Sequence, residues 1–153
     1  LNAIVLTILI TNCLISLFGY RILFRSRYLF SDRFGFIVSI TGGNIVSLVI
    51  TNNLFYLFSN HFIVISFMNL IIGVAVGVTI GSLLNSQTLI AGIYSGGTGA
   101  VMGTMIGAVS LDPSICSLPT QIYNQQELVL FFGLFGLFLH LLTTLLLLYA
   151  MKV

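Results

Sequence analysis

Few side chains in this 153-residue chain could do chemistry, and they are scattered. His140 stands alone in the apolar run LVLFFGLFGLFLHLLTTLLLL. An imidazole so placed is a candidate for moving a proton or holding a metal or cofactor, and equally for a hydrogen-bonded interior histidine. Met68, Met102 and Met105 carry thioethers, which suit Cu(I), but a copper site wants further methionine, cysteine or histidine in range. Flexible filling beside glycine is their plainer use, so they stand as weak metal candidates. Cys13 falls in an apolar stretch and Cys116 in a polar loop, so no bridge between them is expected. There is no CxxC or paired Cys/His spacing for zinc or covalent haem, no P-loop and no GxSxG. The segment DPSICSLPTQIYNQQE, stiffened by Pro113 and Pro119, offers carboxylates, Tyr123 and Cys116 without a base paired to a nucleophile. No catalytic residue emerges, and no motif specifies a cofactor.

The elements that must position these groups follow from composition. With 58% hydrophobic and 5% charged residues and a mean hydropathy of +1.17, the chain has too little polar surface to cover a water-soluble globule. An all-α integral membrane protein is expected, a single transmembrane domain over residues 1–153. A net charge of +2 carried by so few charges gives no footing for nucleic acid. A helix needs about 20 apolar residues to cross a bilayer. The polar breaks divide the chain into five such spans: Leu1–Phe24, Phe34–Phe58, Phe62–Leu84, Thr88–Leu111 and Leu128–Met151. Nothing alternates with period two, so a β-barrel is not expected. The very short breaks SNH and NSQ force spans two, three and four into an antiparallel hairpin series.

Charge gives an orientation. Arg21, Arg25, Arg27 and Arg33 surround the first loop, and basic residues flanking spans favour the cytoplasmic side. Threading from that loop puts the N-terminus outside and the C-terminus with Lys152 inside, while Asp112 and Glu127 fall outside. Leu1 is not a methionine, which leaves open residues ahead of it or a leader already removed.

Glycine supplies the next pattern. At about 100° per residue, Gly92, Gly96, Gly99, Gly103 and Gly107 form one stripe of the fourth span, with Thr98, Met102 and Met105 on another face. Gly73, Gly77 and Gly81 recur every four residues in the third. A glycine zipper between these two spans is expected, because bare faces let helix backbones approach closely. Polar stripes accompany it: Thr41, Asn44, Ser47 and Thr51 in the second span, Ser66 and Asn69 in the third, and Gly133, Gly136, His140 and Thr143 in the fifth. Uncompensated polar groups are costly in hydrocarbon, so Asn44, Ser47, Thr51, Asn69, Thr98 and His140 are expected to form a polar interior seam. Asn44, Ser47 or Thr98 would be the partner of His140.

Three classes of function fit. The first is a non-catalytic small subunit or assembly component of a larger membrane complex, contacting lipid, other subunits or a second copy of itself. The second is a transporter or channel conducting a small solute or ion along the seam. The third is a cofactor- or copper-handling accessory of a redox complex. Packing motifs are abundant and no Asp, Glu, Lys or Arg lies well inside any span, which favours the first.

Overall fold

The computed structural model describes residues 2–29, 31–58, 61–116 and 124–151. Pro119, Tyr123 and Lys152 lie outside that set. The described residues form five long helices: α1 (Asn2–Ser26), α2 (Asp32–Leu57), α3 (Phe62–Gly81), α4 (Ser86–Leu111) and α5 (Gln125–Ala150), with short 3-10 turns at Arg27–Leu29 and Pro113–Cys116. All five are long and apolar enough to cross a membrane.

Several helix ends differ from the spans read from hydropathy, because polar residues that look like breaks act as caps. Ser31 accepts the backbone N–H of Phe34 at 3.3 Å, so α2 starts at Asp32, whose carboxylate suits the positive end of the helix dipole. Asn124 accepts the N–H of Gln126 at 3.3 Å and starts α5 three residues ahead of Leu128, with Glu127 in its first turn. Asn85 and Thr88 form a reciprocal capping box at the start of α4. The turn that supplies this box ends α3 at Gly81 rather than Leu84. At the far end of α4, Asp112 adopts an extended backbone before Pro113, and its Oδ1 accepts the Ser114 N–H at 3.0 Å.

Side-chain contacts give the packing directions. Ser39, Ser47 and Thr51 of α2 meet Thr88, Gly96 and Ala100 of α4 at a constant offset of 49 residues, so these two helices run parallel. Helix α3 is antiparallel to α4, with Gly73 against Gly96 and Gly77 against Gly92. A Cβ built on Gly77 would collide with the carbonyl oxygen of Gly92, and one on Gly92 with the carbonyl oxygen of Gly77. Gly73 and Gly96 face each other in the same reciprocal way. Helices α1 and α5 run parallel, pairing Ile8 with Gly133, Asn12 with His140 and Gly19 with Thr144.

Helices α2 and α4 are the centre: 44% and 39% of their most apolar windows are buried, against 17–22% for the other three. The distribution of residue types is that of a protein solvated by lipid. Asn12, Ser47, Thr51, Asn69, Ser110 and His140 are almost fully buried, whereas Leu17, Phe67, Ile90, Phe131 and Leu145 are more than half exposed. Apolar clusters close the two ends. Val5, Tyr56 and Val129 form one; Leu23, Val38 and Leu83 form the other, at the arginine-bearing end.

Candidate functional site

Two polar groupings lie inside the bundle, rather than the single seam the sequence suggests. The first lies between α2, α3 and α4. Ser47 Oγ donates to the Gly96 carbonyl at 2.6 Å, and Ser39 Oγ to the Thr88 carbonyl at 2.7 Å. Ser95 Oγ donates back to the Ser39 carbonyl at 3.1 Å. Asn69 Nδ2 bridges the Thr51 carbonyl at 3.1 Å and Thr104 Oγ1 at 3.0 Å, while Thr104 Oγ1 donates to the Ala100 carbonyl at 2.8 Å. Nearer the Asp112 end, Tyr56 donates to Ser110 Oγ at 3.0 Å. Apart from the Thr104–Ala100 bond, which stays within α4, these bonds run directly from helix to helix.

Ser47, Thr51 and Asn69 therefore come together, but Thr98 and Asn44 do not join them. Thr98 Oγ1 bonds the Tyr94 and Ser95 carbonyls of its own helix, both at 3.0 Å, the usual satisfaction of a hydroxyl on a helix surface. Asn44 sits against Gly99, where an added Cβ would come 2.8 Å from Asn44 Oδ1. That buried oxygen has no hydrogen-bond partner among the described residues, so the glycine Cα–H is its neighbour. Ser39, Ser95, Thr104 and Ser110 escaped the sequence reading. For Ser39 the signal is the four-residue spacing Ser39, Gly43, Ser47, Thr51 on α2, opposite Thr88, Gly92, Gly96, Ala100 on α4; that spacing does not single out the other three.

His140 belongs to the second grouping, between α1 and α5. Its Nδ1 lies 3.0 Å from Asn12 Oδ1 and its Nε2 lies 3.3 Å from Ser16 Oγ. This corrects the expected partnership with Asn44, Ser47 or Thr98: α1 and α5 are parallel neighbours, and their own polar residues meet at one level. Ser16 Oγ also donates to the Asn12 carbonyl at 2.9 Å. Asn12 is completely buried, and its Nδ2 has no partner among the described residues.

A cavity of about 450 Å³ adjoins this cluster, walled by α1, α2, α3 and α5. His140 and Ser16 lie on its wall together with isoleucine, valine and leucine side chains, and no Asp, Glu, Lys or Arg among the described residues lines it. Leu17 of α1 and Thr79 of α3 also line it and are exposed, so it reaches the flank of the bundle between those helices. Its volume falls within the range typical of small-molecule pockets.

Met68, Met102 and Met105 point outward, 54%, 54% and 65% exposed. No group of three or more His, Cys, Asp or Glu side chains suited to a metal occurs among the described residues. The described residues thus form a bundle of five helices, each long and apolar enough to cross a membrane, with a hydrogen-bonded core and a lateral cavity. Comparison with known proteins finds no matching family model, no similar curated protein and no similar solved structure.

Proposed function

We propose that this chain is a non-catalytic subunit or assembly component of a larger membrane complex. The observation that carries the reading is the use made of the polar seam. Ser39, Ser47, Asn69 and Ser95 spend their donors on carbonyls and hydroxyls of neighbouring helices. Such bonds are worth roughly 0.6–2 kcal/mol each and act as interhelical glue. A conducting path would instead need polar groups turned toward water. The reciprocal contacts of Gly73 with Gly96 and Gly77 with Gly92 support a glycine zipper between α3 and α4 that makes the core rigid.

The outer face supports association. Phe131 and Phe135 stack on α5 with centroids 5.9 Å apart, and Phe131, Leu134, Phe135 and Phe138 are about half exposed or more. Side chains of this kind suit lipid or the helices of another subunit. In the orientation we propose, the end bearing Arg21, Arg25, Arg27 and Arg33 is cytoplasmic and the N-terminus is outside.

Purification in mild detergent followed by mass spectrometry tests the reading. Stoichiometric co-purifying membrane proteins are the expected result. A lone homo-oligomer that produces solute or ion flux in liposomes would replace it with a transporter.

A further inference from the structure

The hydrogen bonds between helices divide the bundle into two bodies. Helices α2, α3 and α4 are joined by Ser39, Ser47, Asn69 and Ser95, by Tyr56 with Ser110, and at the arginine-bearing end by Asn85 Nδ2, which donates to Asp32 Oδ1 at 2.7 Å. Helices α1 and α5 are joined to each other, through the 3.0 Å contact of His140 with Asn12 and its 3.3 Å contact with Ser16. Among the described residues no side-chain hydrogen bond crosses from one body to the other. Amides that could make such a bond do not. Asn12 is buried on α1, and Asn52 and Asn53 lie on the turn of α2 between Val49, which meets Gly136, and Tyr56, which meets Val5 and Val129. Asn12 Nδ2, Asn52 Oδ1 and Asn53 Oδ1 are all without a partner among the described residues. Backbone approach shows the same division. A Cβ on Gly77, Gly99 or Gly103 would strike a carbonyl oxygen of a neighbouring helix inside the three-helix body, whereas one on Gly136 of α5 meets only the side chain of Val49, at 3.5 Å. What lies between the bodies is apolar. Val5 and Val129 pack on Tyr56 at one end, and Leu23 packs on Val38 and Leu83 at the other. The cavity of about 450 Å³, with α1 and α5 on one side and α2 and α3 on the other, occupies the same junction.

We propose that α1 and α5 move as one body against α2, α3 and α4, by a shear along this junction that widens and narrows the cavity. Lipid tails are as apolar as leucine, so an apolar helix face gains little from another apolar face that hydrocarbon does not also supply. The contacts holding α1 and α5 to the other three helices are therefore the ones that lipid replaces at least cost. The hydrogen bonds inside each body have no such substitute, because a polar group released into hydrocarbon goes unpaired. The cavity acts in the same direction. It removes packing partners from the middle of the junction and leaves room into which side chains on either wall can slide. The reciprocal glycine contacts of α3 with α4 leave no comparable room inside the three-helix body.

Distances between pairs of nitroxide labels, measured by double electron–electron resonance on the full chain in lipid nanodiscs, test the proposal. Cys13→Ala and Cys116→Ala remove the native thiols, and labels go on cysteines introduced at exposed positions. Ile4→Cys with Tyr149→Cys reports within the α1–α5 body, Ile63→Cys with Ile90→Cys within the three-helix body, and Ile4→Cys with Ile90→Cys between the two; these positions are 48%, 68%, 73% and 69% exposed for Ile4, Tyr149, Ile63 and Ile90. The distribution between bodies should be about twice as wide as either distribution within a body. A distribution between bodies as narrow as the other two would overturn the proposal. So would a wide distribution for Ile4 with Tyr149, because α1 and α5 would then move separately. Gly42 supplies a variant that restricts the motion without touching the Asn12–His140 pair. It lines the cavity, and a Cβ there meets Ile80 Cγ2 at an ordinary 3.7 Å, so the backbone accepts a side chain. Gly42→Leu should fill part of the cavity and narrow the distribution between bodies to the width seen within them. An unchanged width in Gly42→Leu would overturn the proposal as well, since the motion would then not depend on the cavity.

Discussion

At the scale of the residue, the interior histidine and its amide partner form a unit whose members are costly to separate. His140→Leu leaves Asn12 buried without its hydrogen-bond partner, at a cost of about 1–3 kcal/mol. Thermal unfolding in detergent should show that loss. His140→Gln should recover part of it through its amide, and Asn12→Leu/His140→Leu most of it. A single His140→Leu as stable as the unaltered chain would show that the 3.0 Å contact contributes nothing. The importance of His140 was legible in the sequence because a titratable ring in an apolar run is conspicuous. Its partner was not. Asn12 sits one residue from Thr11 and Cys13 with no stripe of its own, and which helix α5 would lie against depends on packing that no local pattern encodes.

At the scale of the element, two adjacent glycines of α4 should behave in opposite ways. A Cβ on Gly96 would strike the Gly73 carbonyl oxygen and the Gly77 backbone, whereas one on Gly97 meets only Val74 Cγ2 at 3.7 Å. Gly96→Ala should cost about 1–3 kcal/mol through overpacking. Gly97→Ala should be neutral or stabilise by up to about 1 kcal/mol, since glycine weakens a helix interior. Denaturant titration of the two variants decides it, and equal responses would remove the argument from backbone proximity. Bulkier changes extend the contrast: Gly77→Leu or Gly103→Leu should impair assembly, while Val101→Leu, at a position 46% exposed, should not. The stripe containing Gly96 was legible from spacing alone, as were the five helices from apolar length. The parallel contact of α2 with α4 was harder to read, because α2 uses serine and threonine where α4 uses glycine. The short loop between α3 and α4 also drew attention to that hairpin instead. Helix ends were misjudged wherever a capping Ser or Asn looked like a break.

At the scale of the whole molecule, the proposed orientation predicts which ends meet which compartment. Labelling intact cells with a membrane-impermeant thiol reagent should modify Cys116 and spare a cysteine introduced by Ser26→Cys. The reverse pattern would invert the molecule. The contact between Asn12 and His140 also spans 128 residues of sequence, while the pairings among α2, α3 and α4 close much earlier along the chain. A ribosome adding about 5–20 residues per second needs roughly 6–25 s to cover that interval. Through that time the nascent first helix carries a buried-type amide with no imidazole to meet it, held by the insertion machinery or by whatever helix is at hand. Helix α5 is therefore the one that releases α1 from waiting. A chain arrested before α5 should keep its central three helices associated, with its N-terminal helix free to be captured by insertases or membrane proteases.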